Sequence, residues 1–261
     1  MKSRVWLLSL VVLLAFAAAP FSASASHSWG NYHWARTSNP FTLSLGDNVS
    51  SAWDAYLGTT SSDWSASSVL DTTIVPGGSN PKNCRPTSGR VEVCNSKYGF
   101  NGWLGLAQIW VWGDGHIAQG VAKVNDTYFN TATYNTPAWK RLVMCQEVAH
   151  TFGLGHQDEN FSNPNLGTCM DYTSDPDGSL KGQLSNEHPN AHDYEQLEAI
   201  YNHLESTATI ASTPPTRGNG NFETPQEWGQ AVRTDGDGRP SLFERDFGGG
   251  HKLFTFVIWI R

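Results

Sequence analysis

The chain has 261 residues, of which 39% are hydrophobic, 12% aromatic and only 16% charged. That balance excludes a disordered or low-complexity protein and is enough for a sizeable buried core. The formal net charge of −7 excludes binding to nucleic acid through phosphate neutralisation, because an acidic surface repels the phosphate backbone.

Lys2 and Arg4 precede an apolar run from Val5 to Ala19 and small residues through Ala23-Ser24-Ala25. This is the layout of a secretory signal peptide cleaved after Ala25, so residues 1–25 are set aside and the protein is expected to be secreted. The run is too short for a bilayer span and no later stretch is longer, so no membrane association is expected. Removing Lys2 and Arg4 leaves 15 basic against 24 acidic residues, a formal charge of −9.

From His27 to Asn39 the sequence is polar and aromatic without a period and reads as an extended arm. Phe41, Leu43 and Leu45 alternate with Thr42 and Ser44, the two-residue period of a half-buried strand. Asp47 or Asn48 is placed to cap a helix running through Val49, Trp53, Tyr56 and Leu57. Val69 to Val75 reads as a second strand stopped by Pro76-Gly77-Gly78, and Arg90 to Val93 as a third. Leu104 to Val111 and Ile117 to Val124 flank Gly113-Asp114-Gly115 and are expected to form a hairpin.

Thr136-Pro137 supplies an N-cap and a first-turn proline. Leu142, Cys145, Ala149 and Phe152 then follow at steps of three and four, giving one buried helical stripe. Beside that stripe lies Cys145-Gln146-Glu147-Val148-Ala149-His150-Thr151-Phe152-Gly153-Leu154-Gly155-His156. It matches the zinc-peptidase pattern H-E-x-x-H-x-x-G-x-x-H at Glu147, His150, Gly153 and His156, with Gln146 in the place of the first histidine. Positions 146 and 150 sit one helical turn apart and point from one face. Gly153 allows the left-handed turn that ends the helix and swings His156 back toward the same point. A carboxylate at 147 can take a proton from a metal-bound water without being a ligand.

After His156 a loop rich in Asn, Asp, Gly and Pro runs to about residue 188 without the EF-hand spacing. Tyr194, Leu197, Ile200, Tyr201 and Leu204 repeat at helical spacing behind a possible cap at Asn190. Residues 207–221 have the composition of a linker, and 222–261 read as a β-rich extension with strands near Trp228 to Val232, Leu242 to Phe247 and Leu253 to Ile260. Asp235-Gly236-Asp237-Gly238 is expected as a hairpin turn. Whether the extension is a separate small module or adds strands to the main sheet is open on sequence alone.

With Cys169-Met170-Asp171-Tyr172 lying downstream where a methionine turn belongs, the chain resembles the metzincin clan of zinc metallopeptidases, which includes matrixins, astacins and snapalysins. The resemblance implies an α+β, zincin-like domain over residues 26–206: a twisted, mostly parallel sheet, an active-site helix, and a small C-terminal lobe with the methionine turn and a helix. It implies Zn²⁺ held by His150, His156 and Gln146, with Glu147 as general base, Tyr172 as oxyanion donor and Met170 as the floor beneath the metal. Asp158, His116 or Tyr172 are alternative ligands should Gln146 not serve. It also implies that Leu104 to Val111 is an edge strand pairing with an extended peptide or protein substrate. The activity expected is hydrolysis of internal peptide bonds by a monomer. The alternative is a catalytically inactive, secreted binding protein on the same scaffold, because an amide is a weaker zinc ligand than imidazole.

Four cysteines in a secreted chain suggest two disulfides, and three pairings are open. The favoured one joins Cys84 to Cys94 and Cys145 to Cys169, the second holding helix and methionine turn in register. The rival reading makes Cys145 a substitute metal ligand.

Overall fold

A computed structural model describes residues 27–210 and 222–261; the signal peptide and most of the expected linker lie outside the described residues. The alternation at Phe41, Leu43 and Leu45 does form a strand, β2 (Phe41–Asn48), with those three side chains buried. It lies between β3 (Leu70–Pro76) and β4 (Val91–Ser96), parallel to both. β4 pairs in parallel with β6 (His116–Asn125), which is the second arm of the expected hairpin with β5 (Trp103–Val111). Both hairpin strands are buried almost throughout, so they run through the middle of the sheet.

The extension resolves in favour of added strands. β7 (Gln230–Thr234), β8 (Pro240–Gly248) and β9 (His251–Trp259) form an antiparallel meander, and β9 pairs with β5. The order across the sheet is β3-β2-β4-β6-β5-β9-β8-β7, with the two-residue β1 (His33–Trp34) beside β6. The sheet is therefore mixed rather than mostly parallel. One half is parallel, and the hairpin reversal at Gly113-Asp114-Gly115 followed by the meander makes the other half antiparallel. Asp235-Gly236-Asp237-Gly238 forms the β7–β8 turn, closed by Asp235 N–H donating to Arg239 O at 2.8 Å.

Two helix boundaries move. The first helix, α1, spans Asp54–Trp64 and starts after Trp53, not at Asp47 or Asn48. Those two residues end β2, and their side chains are taken up locally: Asp47 accepts from Val49 N, while Asn48 donates to Glu92 and accepts from Ser79 N. A short α2 (Asp126–Phe129) precedes α3 (Pro137–His150). α4 (Ala191–Ile200) carries the expected Asn190 cap, closed reciprocally by Asp193, but stops before Leu204, whose side chain is exposed. The arm is not free either: its β1 lies on β6, and the first residues of the expected linker fold back on it through Thr209 N–H to Ala35 O at 3.0 Å.

The disulfides are Cys84–Cys94 and Cys145–Cys169. Cys145 is thus a bridge and not a metal ligand. Asn48-Val49-Ser50, Asn125-Asp126-Thr127 and Asn160-Phe161-Ser162 fit the glycosylation acceptor pattern; Asn48 and Asn125 are buried and hydrogen-bonded, and Asn160 is exposed.

Candidate active site

α3 is fixed at both ends by side chains from elsewhere. The Thr136 hydroxyl accepts from Trp139 N at 3.2 Å, and Pro137 occupies the first turn, where no backbone donor is needed. At the other end, carbonyls without an intrahelical partner must find donors. Trp29 Nε1 donates to His150 O at 3.1 Å and Trp34 Nε1 to Thr151 O at 2.9 Å. Trp64 Nε1 donates to Cys145 O at 3.3 Å one turn earlier. Three buried indoles thus hold the C-terminal half of the helix against the arm and α1.

Gly153 then adopts a φ of +106°, and a Cβ there would sit 2.8 Å from Tyr32 O. Only glycine suits that bend. It returns the chain so that His156 Nε2 comes within 3.0 Å of His150 Nε2, the rings edge to face. Ligand atoms about 2.0–2.1 Å from a tetrahedral ion are about 3.3–3.4 Å apart, so the two nitrogens are near ligand spacing.

Each side chain at this point has one arm tied back and one arm left over. His150 Nδ1 is 2.8 Å from Leu154 O, and His156 Nδ1 is 2.7 Å from Glu159 Oε1, so in each ring Nε2 is the nitrogen that can carry the lone pair. Gln146 Nε2 donates to Cys169 O at 2.7 Å, and its Oε1 is buried without a partner. The bend at Met170 is brought beside His156 by Gln157 N–H to Met170 O at 2.6 Å and Tyr172 N–H to Asp158 O at 3.0 Å. Both Glu147 oxygens are likewise buried and unpartnered. Buried acceptors without partners on the same helix as one of two converging imidazoles fit a bound cation. Among the described residues, the only trio of His, Cys, Asp or Glu with ligand atoms all within 4.8 Å of one another lies elsewhere.

Burial sets the protonation states. It raises the Glu147 carboxyl well above its ordinary range. It also pushes His150 well below the ordinary imidazole value, with neighbouring His156 adding to the effect, so His150 is neutral as a ligand must be. For Glu159 burial acts upward, but His156, Ser241 and Arg233 outweigh it and hold the acid at about 2. Glu159 is therefore a carboxylate, and it makes His156 a stronger donor. Burial, with Glu159 and Glu147 next, raises the Tyr172 phenol well above its ordinary value, keeping it a hydrogen-bond donor.

What covers the cluster is β9. Phe256 stacks on His150 with ring centres 4.0 Å apart and planes 10° from parallel. Tyr172 Oη donates to Val257 O at 3.1 Å, and the Tyr172 ring lies 4.4 Å from His156. β9 is antiparallel to β5 with Leu106 opposite Val257 and Ala107 opposite Phe256. In this structure β5 is an internal strand between β6 and β9 rather than an edge. It can pack so closely on α3 because of Gly105, where a Cβ would fall 2.5 Å from both Glu147 Oε1 and Val143 Cγ1. All six side chains named here for the site, Gln146, Glu147, His150, His156, Met170 and Tyr172, are buried, His156 the most exposed at 7%, so the cluster is closed.

Two alternative ligands fall away. Asp158 bonds Asn160 N and Asn163 in its own loop, and His116, at the start of β6, contacts Asp114 and Glu205. Sequence reasoning missed Glu159, Phe256 and Val257. Glu159 follows His156 by three residues, a spacing that could have marked it; nothing local marks the other two.

No family profile matches the sequence, and no curated protein sequence matches it significantly. Among solved structures, the chain overlaps high choriolytic enzyme 1, a hatching enzyme zinc-protease from the medaka fish Oryzias latipes, at 10% identity and a TM-score of 0.36, covering 65% of this chain and 94% of that one. It overlaps myroilysin at 11% identity and a TM-score of 0.37, covering 69% and 98%. Overlaps at this level assign neither family nor activity, so the chemistry has to come from the side chains themselves.

Proposed function

We propose that the chain is a secreted metalloendopeptidase, monomeric, whose cleft is filled in this state by its own C-terminal strand. The observation that carries the reading is the convergence of His150 Nε2 and His156 Nε2 at 3.0 Å, with the orphaned acceptors of Gln146 and Glu147 on the same helix as His150. Two disulfides suit an oxidising compartment, and no helix among the described residues is long and apolar enough to cross a membrane.

His150, His156 and Gln146 would hold Zn²⁺. The ion would polarise a scissile carbonyl and acidify a water. Burial alone favours the protonated Glu147, and a bound cation's charge would be needed to hold it as the carboxylate that could accept the water's proton and pass it to the leaving amine. Tyr172 donates to the carbonyl oxygen at the scissile bond, as it now does to Val257 O. An extended peptide would pair with β5 where β9 lies, main chain to main chain.

The test is metal content of the purified full chain together with cleavage of denatured casein by that chain and by Phe256→Ala. Cleavage that rises in Phe256→Ala and vanishes on chelation or in Glu147→Ala, with circular dichroism unchanged, is the expected outcome. Closure of the cleft favours one second reading, a secreted binding protein on a peptidase-like scaffold. A metal-free chain inert in both forms would decide for it.

A further inference from the structure

A second group of imidazoles lies away from α3. The parallel register of β1 on β6 places His33 opposite His116. The segment after α4 runs along the same arm, with Glu205 N–H donating to Arg36 O at 2.9 Å and Thr209 N–H to Ala35 O at 3.0 Å. That lays His203 and Glu205 over the same spot. Glu205 Oε1 is 3.0 Å from His203 Nε2, 3.3 Å from His33 Nε2 and 3.4 Å from His116 Nε2. His33 Nε2 and His203 Nε2 are 3.1 Å apart.

We propose that His33, His203 and Glu205, with His116 beside Glu205, form a transition-metal site that takes Zn²⁺ and clamps the N-terminal arm to the segment following α4. Ligand atoms about 2.0–2.1 Å from a tetrahedral ion lie about 3.3–3.4 Å apart, and the three separations within the trio, 3.0, 3.1 and 3.3 Å, are near that figure. In both ligating rings Nδ1 is turned to an oxygen: Asn31 O at 2.7 Å for His33 and Asn202 Oδ1 at 3.2 Å for His203. That outer layer orients the rings and directs every Nε2 lone pair inward. Two imidazoles and one carboxylate select a divalent ion of the zinc type over calcium or magnesium, which prefer all-oxygen shells. Three protein ligands leave one position for a water, and what the site does is join the arm to the segment after α4. An ion can reach it, since the His203 side chain is 47% exposed and an open groove of about 510 Å³ runs past His33, His203, Asn31 and Gln196.

The site does not depend on the α3 centre, and its test keeps the two apart. The full chain carrying His150→Ala and His156→Ala is loaded with Zn²⁺, dialysed and assayed for bound zinc by mass spectrometry. One equivalent is expected, falling to none when His203→Ala or Glu205→Gln is added. Excess zinc at about a hundred times its dissociation constant should raise Tm by about 5–10 °C in the first protein and not in the second. In the unaltered chain, His203→Ala alone should remove one equivalent, which covers the case that the α3 variant fails to fold. Zinc stoichiometry and Tm indifferent to His203→Ala would overturn the proposal and leave a hydrogen-bonded cluster only. Loss of zinc in the His150 variants but not in His203→Ala would do the same while leaving the α3 reading intact.

Discussion

Glu147→Leu should make the metal-free protein more stable while abolishing any hydrolysis. The carboxyl is buried with neither oxygen partnered, and burial already drives it toward the protonated form. A buried polar group without partners costs about 1–3 kcal/mol, and Leu fills nearly the same volume with apolar atoms. Removing the group should therefore gain about 2 kcal/mol, or roughly 4–8 °C in Tm for a chain of this size. Glu147→Gln, which keeps both the shape and the orphaned polarity, should gain nothing. Differential scanning calorimetry at pH 7 in a chelator reads all three proteins. If Glu147→Leu instead loses a kilocalorie or more, the carboxyl has partners in solution and the case for a cation pocket fails.

The other predictions concern different parts of the molecule. Gln146→His should raise zinc affinity at the α3 centre tenfold or more, read by competition with a chromogenic chelator; unchanged affinity would place residue 146 outside the coordination shell. Replacing Cys145 and Cys169 by Ala opens a loop of sequence separation 24, and should cost about 3–4 kcal/mol in urea unfolding. A loss under 1 kcal/mol would mean the bridge constrains little. Phe256→Ala should cost about 3–5 kcal/mol as a fully buried ring is lost, and should speed amide exchange in β9 before the rest of the sheet; uniform exchange would argue against a separable cover. Burial holds the Lys123 ammonium down to about 8 against an ordinary 10.5, with Glu223 opposing. Between those pH values the unfolded chain binds more protons than the folded one. Stability should thus rise with pH across that window, by up to about 3 kcal/mol. Lys123→Met should stabilise at pH 7 and lose its advantage by pH 10.5, and a pH-independent difference in urea midpoints would refute the assignment.

The parts of this molecule legible in its sequence are those set by local chemistry. Thr136-Pro137 starts α3, Asn190 caps α4, Gly153 bends the chain, and the spacing from 146 to 156 brings two imidazoles together, because each depends on neighbours within a few residues. Asp47 and Asn48 misled as caps because their side chains are used by the turn after β2 and by Glu92, a partner 44 residues on. The antiparallel half of the sheet and the covering of His150 by Phe256 were not legible for the same kind of reason. A strand's period tells which face is buried but not which strand lies beside it. The cluster of His33, His116, His203 and Glu205 draws on three distant segments and leaves no spacing to read.

Position 146 is the point on which the chemistry turns, and its amide does more than fill a gap. A metal-binding histidine needs one donor arm to fix its orientation and one acceptor arm to meet the ion. His150 and His156 divide their nitrogens in that way, between Leu154 O or Glu159 and the shared centre. Gln146 divides its amide likewise, Nε2 to Cys169 O and Oε1 free. Its donor arm ends on a bridged cysteine, so the same contact ties α3 to the bend before Met170. The substitution therefore keeps the geometry of the motif and gives up donor strength, since an amide oxygen is less basic than imidazole. The Glu159 carboxylate strengthens His156 but cannot supply the missing nitrogen. A centre of this make-up should hold zinc more weakly than one with three imidazoles and should be the first to empty on dialysis. That order of release, against the cluster of His33, His203 and Glu205, distinguishes a weakened hydrolytic site from one that never bound metal.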